Sequence, residues 1–328
     1  MTNSETPYQN LSPETILDAV EDSGWLPDGS LLALNSYENR VYQVGIEEAE
    51  PVIVKFYRPG RWSDAQILEE HAFTAELQEH ELSCVAPLPR PGNPENSATL
   101  FHSAGFRHAV FPRQGGYPPN IEDFDNLRIL GRALARIHAQ GSVRPFEHRI
   151  SLTTEGMAEA SRTFLLQHNF IPEELIDSYA STTEHLMARL HHFEIPTNLR
   201  IHGDCHMGNV LWRNDIPHFV DFDDCLMGPA IQDLWMLLSG ERHERSAQLS
   251  ELIDAYEEFH SFSLREVPLI EALRTLRIMH HAAWLARRWH DPAFPLAFPW
   301  FNTERYWAEH ILELREQMSA LDEPPLSV

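Results

Sequence analysis

His202-Gly203-Asp204-Cys205-His206-Met207-Gly208-Asn209, with Asp221-Phe222-Asp223 arriving twelve positions after Asn209, is the stretch on which the reading of this chain turns. It sets an aspartate, an asparagine five residues on, and a second aspartate past a short interruption. The interruption reads as a hairpin. Residues 209–213 are rich in strand formers, Asn214-Asp215-Ile216-Pro217 is turn material, and His218-Phe219-Val220-Asp221-Phe222 is strand-like again. Folding about position 215 pairs residue 209 with residue 221. Asn209 and Asp221 then stand side by side at the open end, where one hard, oxygen-liganded cation such as Mg²⁺ can touch both.

That donor set is the one phosphoryl transfer from ATP needs: a carboxylate facing the acceptor hydroxyl, and two oxygen ligands for the metal on the phosphates. The kinase signature H-R-D-x-x-x-x-N followed by D-F-G has its counterpart here in H-G-D-x-x-x-x-N followed by D-F-D.

Composition bounds the rest. With 328 residues and 43% hydrophobic content, the chain can bury a sizeable core in one large or two modest domains. Its net charge of -24 disfavours nucleic acid and anionic membranes as partners. The start, Met1 to Pro7, lacks the basic and apolar regions of a leader, and no run approaches the ~20 apolar residues of a membrane span. Cys84, Cys205 and Cys225 cannot all pair and lack a metal-type spacing, so a reducing, cytoplasmic location is expected.

Along the first third, Ser12 caps a helix over 12–24 that Gly24 ends. Strands are expected at Leu31–Leu34, Arg40–Val44, Pro51–Tyr57 and Phe106–Phe111. Ser63 and Gln66 have capping-box spacing, and Trp62 and Ile67 the spacing of a hydrophobic staple, so a helix follows. Glu70 falls inside its apolar stripe of Ile67, Phe73, Thr74 and Leu77. Lys55 is equally out of place within Val52-Ile53-Val54-Lys55-Phe56-Tyr57. A buried charge needs a partner, and the two residues are each other's natural candidates. The alternative is a lysine snorkelling from an edge strand and a glutamate at a helix border.

Pro112 to Pro119 reads as a linker, which places a boundary between domains 1–112 and 113–328. Beyond it the pattern is helical, with Asp125 capping a helix faced by Leu127, Leu130, Leu134 and Ile137. Further helices are expected at about 156–169, 173–193, 230–239, 244–260, 265–289 and 303–320. The fold class is therefore α+β. A small N-terminal antiparallel sheet lobe with one key helix precedes a larger, mostly helical C-terminal lobe with the catalytic hairpin, in the bilobal, protein-kinase-like arrangement.

Several blocks carry a resemblance. His202-Gly203-Asp204 with Asn209 and Asp221, the helix over 130–138, and Gly228-Pro229-Ala230-Ile231-Gln232-Asp233-Leu234-Trp235 resemble the aminoglycoside phosphotransferase and choline kinase superfamily. More narrowly, the stretches 34–43, 54–59, 202–206 and Asp291-Pro292-Ala293-Phe294-Pro295 resemble the RdoA-type stress response kinases, and the likeness runs from about residue 8 to 326. It implies a cytoplasmic, monomeric Ser/Thr protein kinase using ATP and Mg²⁺. It also implies a role in oxidative and envelope stress and in countering programmed cell death. By the same resemblance, Asp204 is the base, Asn209 and Asp221 ligate Mg²⁺, and Lys55 holds the α/β-phosphates with Glu70 as its helix partner. Ser36 then lies over the ATP phosphates, and Asp233 braces the catalytic loop.

There are departures. Asn35-Ser36-Tyr37 replaces a glycine-rich loop, so Ser36 covers phosphate, is an ordinary turn serine, or is itself phosphorylated. Asp223 replaces the glycine of D-F-G, which puts a flip of that segment in doubt. Residues 222–229 contain no Ser, Thr or Tyr, so the kinase is expected to be active without phosphorylation there. His202 and His206 have zinc-helix spacing, but Gly203 and Gly208 argue against a helix. His202 is instead expected to brace the loop and His206 to line the site. Cys205 and Cys225 read as buried filler, with a redox switch as the alternative. Trp284, Trp289, Trp300 and Trp307 pack the helical lobe, or Arg287-Arg288 among them hold an acidic partner. A protein Ser/Thr acceptor is expected. A small-molecule kinase for an amino alcohol or sugar, and a nucleotide-binding scaffold restraining a stress regulator, are the rivals.

Overall fold

The structure is a computed structural model and describes residues 6–92 and 98–328. Most of the start read above for a leader, residues 1–5, lies outside the described residues. In chain order the elements are α1 (Pro13–Asp22), β1 (Pro27–Ala33), β2 (Arg40–Ile46), β3 (Ala49–Phe56), α2 (Asp64–Glu79), β4 (Phe101–Ser103) and β5 (Phe106–Pro112). Then come α3 (Phe124–Gly141), α4 (Ala160–Gln167), α5 (Glu173–Leu190), β6 (Leu199–Ile201), β7 (Val210–Arg213), β8 (Ile216–Phe219) and β9 (Leu226–Gly228). The chain ends with α6 (Ile231–Trp235), α7 (Arg242–Tyr256), α8 (Ile270–Arg288), α9 (Ala293–Ala297) and α10 (Glu304–Ala320).

Two compact units form. The first comprises Met1–Asn120, Phe146–Arg149 and His206–Cys225; the second comprises Ile121–Pro145, Ile150–Cys205 and Leu226–Val328. They are not the contiguous pieces 1–112 and 113–328 read from the linker. The first unit extends to Asn120 and also takes in two later stretches, the β7–β8 hairpin among them.

The first unit is built on an antiparallel sheet of order β1-β2-β3-β5-β4. β3 lies inside it, with Lys55 opposite Val41 on one side and Ala109 on the other. Side chains alternate along a strand. Val52, Val54 and Phe56 join Ile16, Ala19 and Val20 of α1 in one core, while Tyr57, Ile67 and Ala109 cluster on the other side with Trp62 against them. The edge-strand alternative for Lys55 is thereby excluded. Ser12 caps α1, and the reciprocal Ser63–Gln66 box caps α2. The short β4 gave no alternation to read in the sequence.

In the second unit α3 begins at Phe124, so Asp123 rather than Asp125 caps it, accepting from the Asp125 amide at 3.0 Å. Gly141 lets α3 approach β6: a Cβ there would lie 2.2 Å from the Arg200 carbonyl oxygen. β6 pairs with β9, Leu199 opposite Gly228. The helix expected over 230–239 is only α6, and the one expected over 265–289 opens as a 3₁₀ turn because Pro268 interrupts it before α8. Of the four C-terminal tryptophans expected to pack this unit, Trp307 is buried and Trp284 lies against Phe294, with ring centroids 5.1 Å apart, whereas Trp300 is exposed. Among the described residues no helix is long and apolar enough to cross a membrane.

Candidate active site

The hairpin β7–β8 sets the first group of residues. Asn214 and Asp215 both have positive φ, 53° and 57°, the two-residue turn that suits strand twist. Val210 faces Phe219, and the Val220 amide donates to the Asn209 carbonyl at 3.0 Å. Asn209 therefore stands opposite Val220, one position short of the expected Asp221. The tighter turn shifts the register by one, and Pro217 lies within the strand instead of the turn. Asp221 follows at φ 58°, a left-handed conformation costly for a residue with a Cβ. It turns the chain into the short 3₁₀ turn Phe222–Asp224, and Phe222 is buried edge-on against Phe73 of α2.

This bend leaves the Asp221 side chain half exposed, with Oδ1 3.0 Å from Lys55 Nζ. Lys55 is buried and reaches two further carboxylates, Asp223 at 3.1 Å and Glu70 at 3.6 Å. Asp223 is also bound by Arg61, whose other nitrogen binds Asp224. Glu70 is also bound by Arg149 at 2.9 Å, and Arg149 donates to the Asp223 carbonyl at 2.6 Å. Three cations thus meet four carboxylates, with one negative charge in surplus; Arg58 and Glu38 pair alongside without changing the balance. Burial works against the charge on Lys55, but Asp221, Asp223 and Glu70 hold its pKa well above the ordinary lysine value. Burial likewise opposes the Asp223 charge, and Arg61, Lys55 and Arg149 overcome it, holding that carboxyl below the usual range. Asp221, the most exposed carboxylate of the set, and Asn209 at the end of the same hairpin are the oxygen donors suited to a hard cation.

Ser36 is on the β1–β2 turn, where its hydroxyl accepts from the Val41 amide at 3.1 Å and donates to the Leu34 carbonyl at 3.4 Å. Tyr117, in the linker stretch, exchanges backbone hydrogen bonds with Trp212 of β7 at 3.1 and 2.6 Å.

The second unit holds Asp204. Asp233 on α6 is fully buried and accepts from the amides of His202 and Gly203, both at 2.8 Å, and from His138 Nε2 at 3.0 Å. This is the bracing expected of it. Burial alone would raise the Asp233 pKa, but these donors hold it below the ordinary value. Gly203 takes φ 82°, so the loop turns sharply there, and the Asp204 amide donates to His202 Nδ1 at 3.3 Å. The Asp204 Oδ1 accepts from Arg277 Nη1 of α8 at 2.6 Å. In the first unit, His206 accepts from the Gly208 amide at 2.9 Å and caps a 3₁₀ turn. Cys205 and Cys225 are buried; burial pushes the Cys205 thiol well up and the Cys225 thiol to about 12.

Of the residues read from sequence, Lys55, Glu70 and Asp221 come together, and Asn209 ends the hairpin that carries Asp221. Arg61, Arg149, Asp223 and Arg277 were missed as partners. Asp223 alone gave a signal, a third carboxylate two residues after Asp221. The two arginines at Glu70 and Asp204 come from positions remote in sequence with no pattern around them.

The sequence profile of the "Phosphotransferase enzyme family" matches residues 30–267. The chain is 44% identical over 330 residues to "Stress response kinase A" of Escherichia coli (strain K12), covering 100% of this chain and 99% of that protein. It is 43% identical over 334 residues to "Serine/threonine protein kinase RdoA" of Salmonella typhimurium (strain LT2), with the same coverage. Among solved structures, amicoumacin kinase hAmiN in complex with AMP-PNP, Ca²⁺ and Ami is similar at a TM-score of 0.73 and 18% identity, covering 96% of this chain and 94% of that one. A microcompartment-associated aminopropanol kinase is similar at 0.68 and 18%, covering 94% and 98%. At these identities the likeness speaks for the fold.

Proposed function

We propose a function from one premise: the chain belongs to the phosphotransferase enzyme family and, within it, to the stress response kinase A group. It is a phosphotransferase. In our reading the donor is ATP with Mg²⁺, the acceptor is a Ser or Thr hydroxyl of a protein, and the enzyme acts in the cytoplasm as a monomer in a stress response. The observation that carries the chemistry is Lys55 Nζ 3.0 Å from Asp221 Oδ1, a buried cation beside an exposed carboxylate on a strained turn.

Lys55 holds the α/β-phosphates, kept in place by Asp223 and Glu70. Asp221 and Asn209 hold Mg²⁺, which neutralises phosphate charge when bound. The fit is favoured by the surplus negative charge around Lys55. Asp204 precedes Asn209 by five residues, so the chain itself limits their Cα separation to roughly 17 Å. Asp204 accepts the proton of the acceptor hydroxyl. The hydroxyl oxygen bonds to the γ-phosphorus in line, the bond to the β-phosphate oxygen breaks, and ADP leaves. The work is mainly positioning and charge neutralisation.

A protein acceptor is favoured by full-length similarity to a protein named as a serine/threonine kinase at 43% identity. The structural neighbours named for small acceptors share only 18%. The test is transfer from γ-labelled ATP to a protein panel and a metabolite panel, with Asp204→Asn as control. Label on protein Ser/Thr, lost in the variant, is the expected result. Label only on a metabolite favours an amino-alcohol or sugar kinase, and ATP binding without transfer favours a scaffold.

A further inference from the structure

We propose that Arg277 is a positioning residue for the phosphotransfer base, setting the orientation of the Asp204 carboxylate from helix α8. The proposal rests on the phosphotransferase reading above and adds to it a residue outside every motif in the chain.

The loop around Asp204 is fixed at its backbone but not, by that alone, at its side chain. Asp233 holds the amides of His202 and Gly203, and Gln232 Nε2 donates to the Gly203 carbonyl at 3.0 Å. These contacts determine where the Asp204 Cα sits; the two torsions beyond it need a separate constraint. Arg277 Nη1 supplies it at 2.6 Å from Oδ1, a short, charge-assisted contact. The pair is only partly shielded, with side chains 42% and 23% exposed, so its worth lies in geometry more than in stability.

The stretch of α8 that carries Arg277 is well packed. Leu276, Met279 and Ala282 beside it on α8 are buried. One turn earlier Arg274 lies over the Trp235 ring at 4.8 Å and binds Glu271 at 3.0 Å. A base must present one oxygen to the hydroxyl at hydrogen-bond distance and along a suitable direction. A guanidinium on the other oxygen fixes the carboxylate plane before the acceptor arrives. Arg277 makes and breaks no bond in the reaction; the proton still passes from acceptor to Asp204.

The test compares wild type, Arg277→Met, Arg277→Lys, Asp204→Asn and the double variant Asp204→Asn/Arg277→Met. Phosphate transfer from γ-labelled ATP to dephosphorylated casein and acceptor-free ATP hydrolysis are both followed, alongside melting temperature. Losing this guanidinium contact is expected to lower kcat about tenfold to a hundredfold, the scale of a misplaced reacting group, with the ATP KM held within about twofold. Arg277→Lys, keeping one donor and the charge, recovers part of kcat. On the Asp204→Asn background the second change costs nothing further, because both act through one carboxylate. Equal losses on both backgrounds, an unchanged kcat, or a rise in ATP KM with kcat intact overturn the proposal. If Arg277→Met melts early, the Arg277→Lys split of kcat against KM decides in its place. A wild type that consumes no ATP overturns the phosphotransferase reading itself, and this proposal with it.

Discussion

Lys55 lies closer to Asp223 than to Glu70, at 3.1 Å against 3.6 Å. The acid at the third position of Asp221-Phe222-Asp223 is thus a nearer partner for the strand lysine than the helix glutamate. Glu70 is drawn off by Arg149 at 2.9 Å, and Asp223 is steadied by Arg61. Removing one member of a buried ionic group leaves the others uncompensated. We predict that Asp223→Asn costs about 3 kcal/mol or more in denaturant unfolding and raises the ATP KM, and that Glu70→Gln costs less in both assays. Equal effects, or a larger effect at Glu70, would remove Asp223 from this role.

Acid should weaken the fold in two stages. His71, bonded to Tyr57 and Thr99, is buried, and burial with Lys55 and Arg149 nearby depresses its pKa to about 3. Below the unfolded histidine value near 6.5 the unfolded chain binds the proton and the native chain does not. The contribution of His71 is therefore complete above about pH 6.5 and is lost as pH falls toward 3, with a slope of about 1.4 kcal/mol per pH unit. Asp223, held low, adds a second loss that begins as pH drops below about 4, where its unfolded counterpart takes up a proton. Urea midpoints between pH 7 and 3 measure both, and His71→Gln should flatten the upper part of the curve.

The brace under Asp204 can be tested without touching Asp204. Asp233→Asn replaces one accepting oxygen with a donor, which then faces either the His202 or the Gly203 amide, so the loop loses its fixed turn. We predict a fall in kcat of at least about tenfold, since small misplacements of a base are costly, with ATP binding retained. Gly203→Ala, at φ 82°, should act in the same direction and cost about 1–2 kcal/mol in stability. Steady-state kinetics with a binding measurement on ATP separates the two effects.

Cys84, Cys205 and Cys225 are free and buried, and burial raises all three thiols, Cys84 and Cys225 to about 12. Thiolate is the reactive form. An alkylating reagent at pH 8 should therefore modify none of the three rapidly in the native protein and all of them in denaturant. Rapid native labelling at Cys205 or Cys225 would restore the redox-switch alternative.

Lys55 and Glu70 were legible because each interrupts an apolar period, and an interruption at a buried position demands a partner. Asp204, Asn209 and Asp221 stood out by their spacing. The register of the β7–β8 hairpin was not legible: Pro217 looked like turn material, yet on a short two-stranded ribbon a proline fits within the strand. β4, β6 and β9 span three residues each, too few to display a period. Arg149 and Arg277 follow no local rule, because what singles them out is a partner about 80 and 73 residues away. The domain cut at 112/113 took the chain as two consecutive pieces, whereas the first unit draws in residues 146–149 and 206–225.

Helix α2 is bolted to the segment at 146–149 twice over. Glu69 accepts from the amides of His148 and Arg149, both at 2.8 Å, and the next residue, Glu70, is clasped by the Arg149 guanidinium. Many regulated kinases are throttled by swinging the equivalent helix away from the lysine. Here such a swing must tear out two adjacent anchors and strand a buried arginine, a toll that modest signals do not meet. On this geometry α2 is a fixed support for the Lys55 cluster rather than a movable lever.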